Sequence, residues 1–236
     1  PGAAKYFEEK GYKVDAVKEG AGNGTASALS FGTGGESGTY YAFGGVLASF
    51  VSGKSNCKVT ALTSGGSQAN VEDLTNGNVQ LAFVQSDVMN YAYNGQRLFD
   101  SPVTGFSVVA QLYQEQVQIV TTNPDIKTVA DLAGKKVSIG AAGSGVYFNA
   151  IDVLSAYDLK ESDISAVYQS FGDSAESLKD GKIDAAFIVA GAPTTAITDL
   201  ATAGSVYLVS LDDSHVQSLL AASPYYTAAT IKAGTY

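Results

Sequence analysis

The chain has 236 residues, a hydrophobic fraction of 45% and a formal net charge of −9. No apolar run approaches the roughly 18 residues that a membrane helix needs, and an acidic chain with the single arginine Arg97 and no run of lysines is a poor match for nucleic acid. Cys57 and His215 are each the only residue of their kind, which excludes an internal disulfide and a two-cysteine metal motif; His215 reads as an ordinary polar residue, because a metal site needs several clustered ligands.

In chain order, Pro1–Lys10 predicts an amphipathic helix ended by Gly11, and the glycine-rich Gly20–Ala28 predicts a linker. No charged-then-apolar leader stands at Pro1, so an export signal is expected to be absent or already removed. Ala28–Gly32, Val59–Leu62 and Leu81–Gln85 then read as strands, alternating with helices at Thr39–Val51, Gln68–Asn76 and Asp87–Tyr93. Phe106–Leu112 reads as a further strand, and Val117–Thr122 as an interlobe crossing. Strands follow at Lys136–Gly140, Ala166–Ser170 and Ala185–Val189, with helices at Val146–Tyr157, Ser174–Asp180 and Pro193–Ala203. Val146, Ala150, Val153, Leu154 and Tyr157 share one helical face. Residues 233–236 provide no clear closing element.

A repeat runs through this order. Leu74, Gly77, Val79, Ala82 and Phe83 recur as Leu178, Gly181, Ile183, Ala186 and Phe187. Ser37-Gly38-Thr39-Tyr40 recurs as Ser144-Gly145-Val146-Tyr147, and Ser64–Ser67 is set against Ser170–Asp173. Gly77 and Gly181 stand where a helix ends, a place where glycine adopts positive φ cheaply. The chain therefore reads as two similar α/β lobes, residues 1–118 and 119–236, the first containing the terminal helix and linker (1–28) and a core (29–118). Strand–helix alternation with short apolar strands argues for parallel sheets covered on both faces.

The turns that follow the strands are uniform in chemistry. The first lobe has Thr33, Gly34, Gly35 and Ser37 leading to Thr39 and Tyr40, then Ser64, Gly66 and Ser67, then Gln85 and Ser86. The second has Ser144 and Gly145 leading to Tyr147, and Gly191. In open α/β sheets, ligands bind outside the carboxyl ends of the strands. Glycine admits a ligand close to the backbone, and a helix N-terminus presents free N–H groups and a positive dipole end, so converging ends suit a carboxylate without an arginine. The same turns also serve any tight βα loop. The facing set is expected to be Ser144, Gly145 and Tyr147 against Thr33, Gly34, Gly35 and Tyr40, with the tyrosines covering an apolar ligand body. A dinucleotide-dependent enzyme is the rival reading. Gly32-x-Gly34 begins its fingerprint, but residue 37 is serine and no acidic residue follows the second strand. No P-loop lysine and no nucleophile elbow is present, so neither cofactor nor catalytic residue is assigned.

Gly32–Tyr41, Ser64–Ser67, Val84–Asp87, Gly143–Gly145, Leu178–Phe187 and Gly191–Thr194 together resemble the TAXI branch of TRAP-transporter solute-binding proteins, over residues 29–236. The resemblance implies a periplasmic-binding-protein-like fold of two lobes with a hinge between them. It implies a periplasmic or otherwise extracytoplasmic, non-enzymatic receptor that delivers a small ligand, such as glutamate, glutamine or a dicarboxylate, to TRAP membrane permease subunits. In that family a segment like Pro1–Phe7 usually comes last, and the chain continues past the equivalent of Tyr236. The order here implies circular permutation or a split chain, such as one built as a sensor, with a second polypeptide completing the first lobe. The effector-sensing domain of a transcription regulator is the other reading; it calls for a helix-turn-helix, and none is visible.

Overall fold

The computed structural model describes residues 27–236. The helix expected at Pro1–Gly11 and nearly all of the expected linker lie outside those residues. The first sheet is formed by β1 (Ala28–Gly32), β2 (Lys58–Leu62) and β3 (Leu81–Ala82), in the order β2-β1-β3 and parallel throughout. Helices α1 (Thr39–Lys54), α2 (Ser67–Thr75) and α3 (Ser86–Asn94) follow its strands in turn. The second sheet takes β4 (Gln116–Thr121), β5 (Lys136–Ser138), β6 (Ser165–Val167), β7 (Ala185–Ala190) and β8 (Tyr207–Leu208), in the order β6-β5-β7-β4-β8. Helices α4 (Val146–Ala156), α5 (Phe171–Lys179), α6 (Thr195–Ala203) and α7 (Asp213–Ala222) pack around it.

The central strand shows why that sheet needs cover on both sides. All six residues of β7, Ala-Ala-Phe-Ile-Val-Ala, are buried. Ala185, Phe187 and Val189 join Val146, Ala150, Val153 and Leu154 of α4 in one cluster. Ala186, Ile188 and Ala190 join Leu178 of α5 and Ile197 and Leu200 of α6 in another. Strand side chains alternate between faces, so an unbroken apolar run feeds two cores at once. Each large apolar side chain buried in this way contributes about 1.5–3 kcal/mol.

Two sequence expectations need correction. Phe106–Leu112 forms no strand; it has strand composition but no ladder partner, and Val108 and Val109 are exposed. Val117–Thr122 is not a bare crossing, because residues 116–121 form β4, antiparallel to both β7 and β8. The second sheet is thus mixed. No crossover helix precedes β4, so nothing requires it to run parallel to β7. Its side chains still divide between the faces, Ile119 into one cluster and Val120 into the other.

The repeat extends to individual hydrogen bonds. Gly77 N–H donates to Leu74 O (3.2 Å) and Asn78 N–H to Asp73 O (2.9 Å); Gly181 N–H donates to Leu178 O (3.1 Å) and Lys182 N–H to Ser177 O (2.8 Å). These are paired Schellman closures, with φ of 74° at Gly77 and 66° at Gly181. On the same spacing, Ser67 matches Phe171, so the turn 64–67 corresponds to 168–171 and not to 170–173. The copies diverge where each helix meets its sheet. In the second lobe the Ser138 and Ser174 hydroxyls pair at 2.8 Å. In the first, Gly32 leaves room for the fully buried Asn70, whose amide donates to Thr33 O (2.8 Å) and Phe83 O (2.7 Å). A Cβ at Gly32 would lie 2.8 Å from Asn70 Oδ1.

Truncating Asn70 strips donors from buried carbonyls. Asn70→Ala is expected to lower the unfolding free energy by about 2–3 kcal/mol in urea denaturation.

Candidate functional site

The turns after β1 and β2 lead into α1 and α2, and those after β5 and β6 lead into α4 and α5, so helix N-termini from both lobes converge on one cleft. The cleft encloses about 70 Å³, well below the roughly 300–1,000 Å³ of pockets for drug-sized ligands. The structure is therefore a closed state. Of the positions expected from the sequence, Gly34, Gly35, Thr39, Tyr40, Ser64, Gly66, Ser67 and Gln85 line the space from the first lobe, and Ser144 and Gly145 from the second. Glu115, Val146, Ser170 and Phe171 also line it.

Five expected residues lie outside this lining. Thr33 is buried, its hydroxyl donating to Leu62 O at 2.6 Å between the ends of β1 and β2. Ser37 lies against Gly172 and Gly191 against Thr39, both across the lobe boundary. Ser86 is exposed at the start of α3. Tyr147 takes the same helical position as Tyr40, but its hydroxyl donates to Glu161 (3.0 Å) and its ring packs beside Phe148 and Tyr168. An acceptor on its own lobe turns it away from the cleft.

The facing of the turns is also crossed relative to expectation. The 143–145 turn meets the 65–67 turn: a Cβ at Gly65 would lie 2.6 Å from Ala142 O, and one at Gly66 3.2 Å from Ser144 Cα. A Cβ at Gly145 would overlap Gln85 Oε1. The 35–38 turn instead meets α5, Gly35 facing Ser170 and Gly38 facing Phe171. The missing side chains thus bring lobe against lobe. Ala69 N–H, in the first turn of α2, donates to Gly143 O across the boundary at 2.9 Å. That uses one of the N-terminal amides expected to be free. The α4 side is closed further by Phe148, which packs among Val71, Val88, Tyr91 and Ala92, and by an Arg97–Asp152 ion pair of 2.6 Å. Arg97 also lies over the Tyr91 ring and is not part of the cleft lining.

A polar chain crosses the closed cleft. Tyr40 Oη donates to Glu115 Oε2 (3.0 Å) and lies 3.4 Å from Ser67 Oγ. Gln85 N–H donates to Ser67 Oγ (3.0 Å), and Gln85 Nε2 to Asn149 Oδ1 (2.7 Å). Asn149 Nδ2 donates to Asp87 Oδ2 (3.0 Å) and to Tyr226 Oη (2.9 Å). Tyr226 Oη donates in turn to Asp152 Oδ2 (2.9 Å), which is paired with Arg97, so that end of the chain reaches a base, whereas among the described residues the Glu115 end does not. Burial pushes the Glu115 carboxyl up to about 8 against the Tyr40 hydrogen bond, with the Asp87 charge adding to the rise. Burial also raises Asp87, and it raises Tyr40 together with the Glu115 charge. Burial, then the Glu115 charge, raises Tyr113, whose buried hydroxyl has no partner among the described residues.

Sequence reading missed Glu115, Asp87 and Asn149. Asn149 carried a signal, a lone amide one turn into a helix whose other inward positions, Val146, Ala150 and Val153, are apolar. Glu115 carried only its place at the passage between the lobes. Among the described residues no group of three or more His, Cys, Asp or Glu is placed to hold a metal, and no helix is long and apolar enough to cross a membrane.

The NMT1-like family matches residues 31–236. The chain belongs to that family. Among solved structures, this NMT1-like chain is similar to the alkanesulfonate-binding protein SsuA of Xanthomonas axonopodis pv. citri bound to MOPS, at 19% identity and a TM-score of 0.54, covering 79% of this chain and 61% of that one. It is similar to the amino acid ABC transporter substrate-binding protein AbpA of Streptococcus pneumoniae bound to L-arginine, at 16% identity and a TM-score of 0.53, covering 78% and 75%. The GluR0 ligand-binding core in complex with L-glutamate matches at 14% identity and a TM-score of 0.52, covering 79% and 80%. The NMT1-like chain spans about three-fifths of the SsuA length. At these identities the likeness establishes the fold, periplasmic-binding-protein-like with two α/β lobes.

Two outcomes follow from the cleft geometry. Gly65→Val places branched carbon against Ala142 O, so it should hold the lobes apart and raise the radius of gyration in small-angle scattering, with far-UV circular dichroism unchanged. The second concerns pH. The folded chain keeps the Glu115 proton between the ordinary 4.5 and about 8, whereas the unfolded chain releases it. The stability from this group is complete below about 4.5 and is lost as pH rises through about 8. The melting temperature should fall between pH 5.5 and 8.5, and by less in Glu115→Gln.

Proposed function

We propose that this chain is an extracytoplasmic solute-binding protein that captures a small zwitterionic or anionic ligand between its lobes, without chemical turnover, for a membrane transporter. One observation carries the reading: first turns of α1, α2, α4 and α5, bearing Thr39, Ser67 and neighbouring hydroxyls, converge on a cleft between two lobes, each with its own sheet. Each such terminus favours an anion by about 0.3–1 kcal/mol when exposed, rising to about 2 when partly buried. Ligand entry requires the lobes to part, the hinge closure typical of binding proteins. An amino acid or a dicarboxylate fits the helix ends better than a sugar does. The Gly32–Tyr41 and Val84–Asp87 motifs support a TRAP permease as the partner. Exposed Val46 and Phe50 on α1, with Val108 and Val109 after α3, support a second polypeptide or a further segment covering the first lobe.

Thermal-shift screening tests the ligand class. At about 100 times its dissociation constant, a ligand adds about 2.7 kcal/mol, or roughly 5–10 °C in melting temperature for a chain of this size. Amino acids or dicarboxylates should give that shift, and Gly145→Val should abolish it without loss of circular dichroism signal. A response confined to neutral sugars would sink the anion argument, and tight binding of nicotinamide or flavin cofactors would favour an enzyme.

A further inference from the structure

Glu115 has no place in a purely anionic ligand's site. Its carboxyl lines the cleft, Oε2 accepts from Tyr40 Oη at 3.0 Å, and Oε1 takes no hydrogen bond among the described residues. The groups that bear on it are Tyr40 from α1, Tyr113 from its own segment and Asp87 from α3, none of them basic. The one arginine is paired with Asp152, away from the lining. A carboxylate closed into such a space without a counter-charge is costly. Helix N-termini stand around the same space and supply positive ends for a carboxylate. The cleft thus offers two unlike poles, with the Tyr40 hydroxyl 3.0 Å from Glu115 Oε2 and 3.4 Å from Ser67 Oγ at the start of α2.

We propose that Glu115 determines specificity by receiving the protonated amine of the ligand, so that the cleft selects α-amino acids over the corresponding 2-oxo and desamino acids. The assignment rests on the reading of the cleft as a ligand site and narrows it from anions in general to zwitterions. Tyr40 positions the carboxyl by its hydrogen bond and leaves Oε1 open toward the space. Without ligand, the carboxyl holds its proton at neutral pH. An arriving ammonium replaces that proton as the compensating charge, the carboxyl O–H bond breaks, and the proton passes to buffer.

The test uses calorimetric titration of the full chain at pH 7 with L-glutamate, 2-oxoglutarate and glutarate, then with L-leucine and 4-methyl-2-oxopentanoate. Wild type should bind the amino member of a set at least tenfold more tightly, with uptake of close to one proton by buffers of different ionisation enthalpy. Glu115→Gln keeps an oxygen for Tyr40 to donate to. It should lose at least tenfold in affinity for the amino acid, abolish the proton transfer and leave the oxo or desamino acid within about threefold. Circular dichroism and melting of this variant confirm that it is folded. Equal wild-type affinity within each set, or an equal loss of both classes in Glu115→Gln, overturns the assignment while leaving the binding-protein reading in place. Binding of no compound in either class overturns both.

Discussion

Closure without side chains is the constraint on which the rest of this structure depends. The 65–67 and 143–145 turns meet backbone to backbone, tightly enough that Ala69 N–H reaches Gly143 O. Glycine at Gly65, Gly66 and Gly145 makes this approach possible, since any Cβ there would meet the opposite lobe. The turns therefore limit the depth of closure and hence the room left for a ligand. The α4 side has its own adhesive in Phe148 and the Arg97–Asp152 pair. A ligand shifts the open–closed balance only by its additional preference for one state.

Electrostatics in the cleft follow from how the polar chain is terminated. A buried hydrogen-bonded network is worth most when every member is satisfied, and least when a charge within it has no partner. Here Tyr40, Ser67, Gln85 and Asn149 satisfy one another in series, and among the described residues the Tyr113 hydroxyl beside Glu115 and the Ser144 hydroxyl in the facing turn are left without partners. Arg97 does not counter the Glu115 carboxyl; it is held outside the cleft lining by Asp152 and the Tyr91 ring. Capacity for a cation is left where the lobes close and is absent from the outer contact.

The two-lobed architecture was legible in the sequence because its signals are local. Leu74 with Gly77 and Leu178 with Gly181 mark helix ends whose Schellman bonds depend on one positive-φ residue each. Short apolar strands such as Ala185–Ala190 mark burial on both faces. What escaped was set by tertiary partners. Phe106–Leu112 has strand composition and no strand to pair with, while β4 acquires its direction only from β7 and β8. Tyr40 and Tyr147 are equivalent by position and are separated by an acceptor, Glu161, distant from both in pattern. Glu115 belongs to no periodic element, so its place in the cleft is apparent only once the lobes close.

The two copies have also divided the work between them. The second lobe encloses a five-stranded sheet between two clusters, with Phe187, Ile188 and Ile119 almost wholly buried. Among the described residues the first has three strands, a small cluster around Phe31 and Phe83, a second cluster of Val71, Val88, Tyr91, Ala92 and Phe99 that Phe148 of the other lobe joins, and exposed apolar side chains on α1. Most of the polar side chains that line the cleft, among them Tyr40, Ser67, Gln85 and Glu115, come from the first lobe and the passage leaving it. The second lobe adds the Ser144 and Ser170 hydroxyls to the backbone and apolar surface of Ala141, Gly145, Val146 and Phe171. Side-chain recognition thus lies mainly with the first lobe, and the second supplies most of the closing surface. Closure of one lobe onto the other brings together groups that neither lobe holds alone.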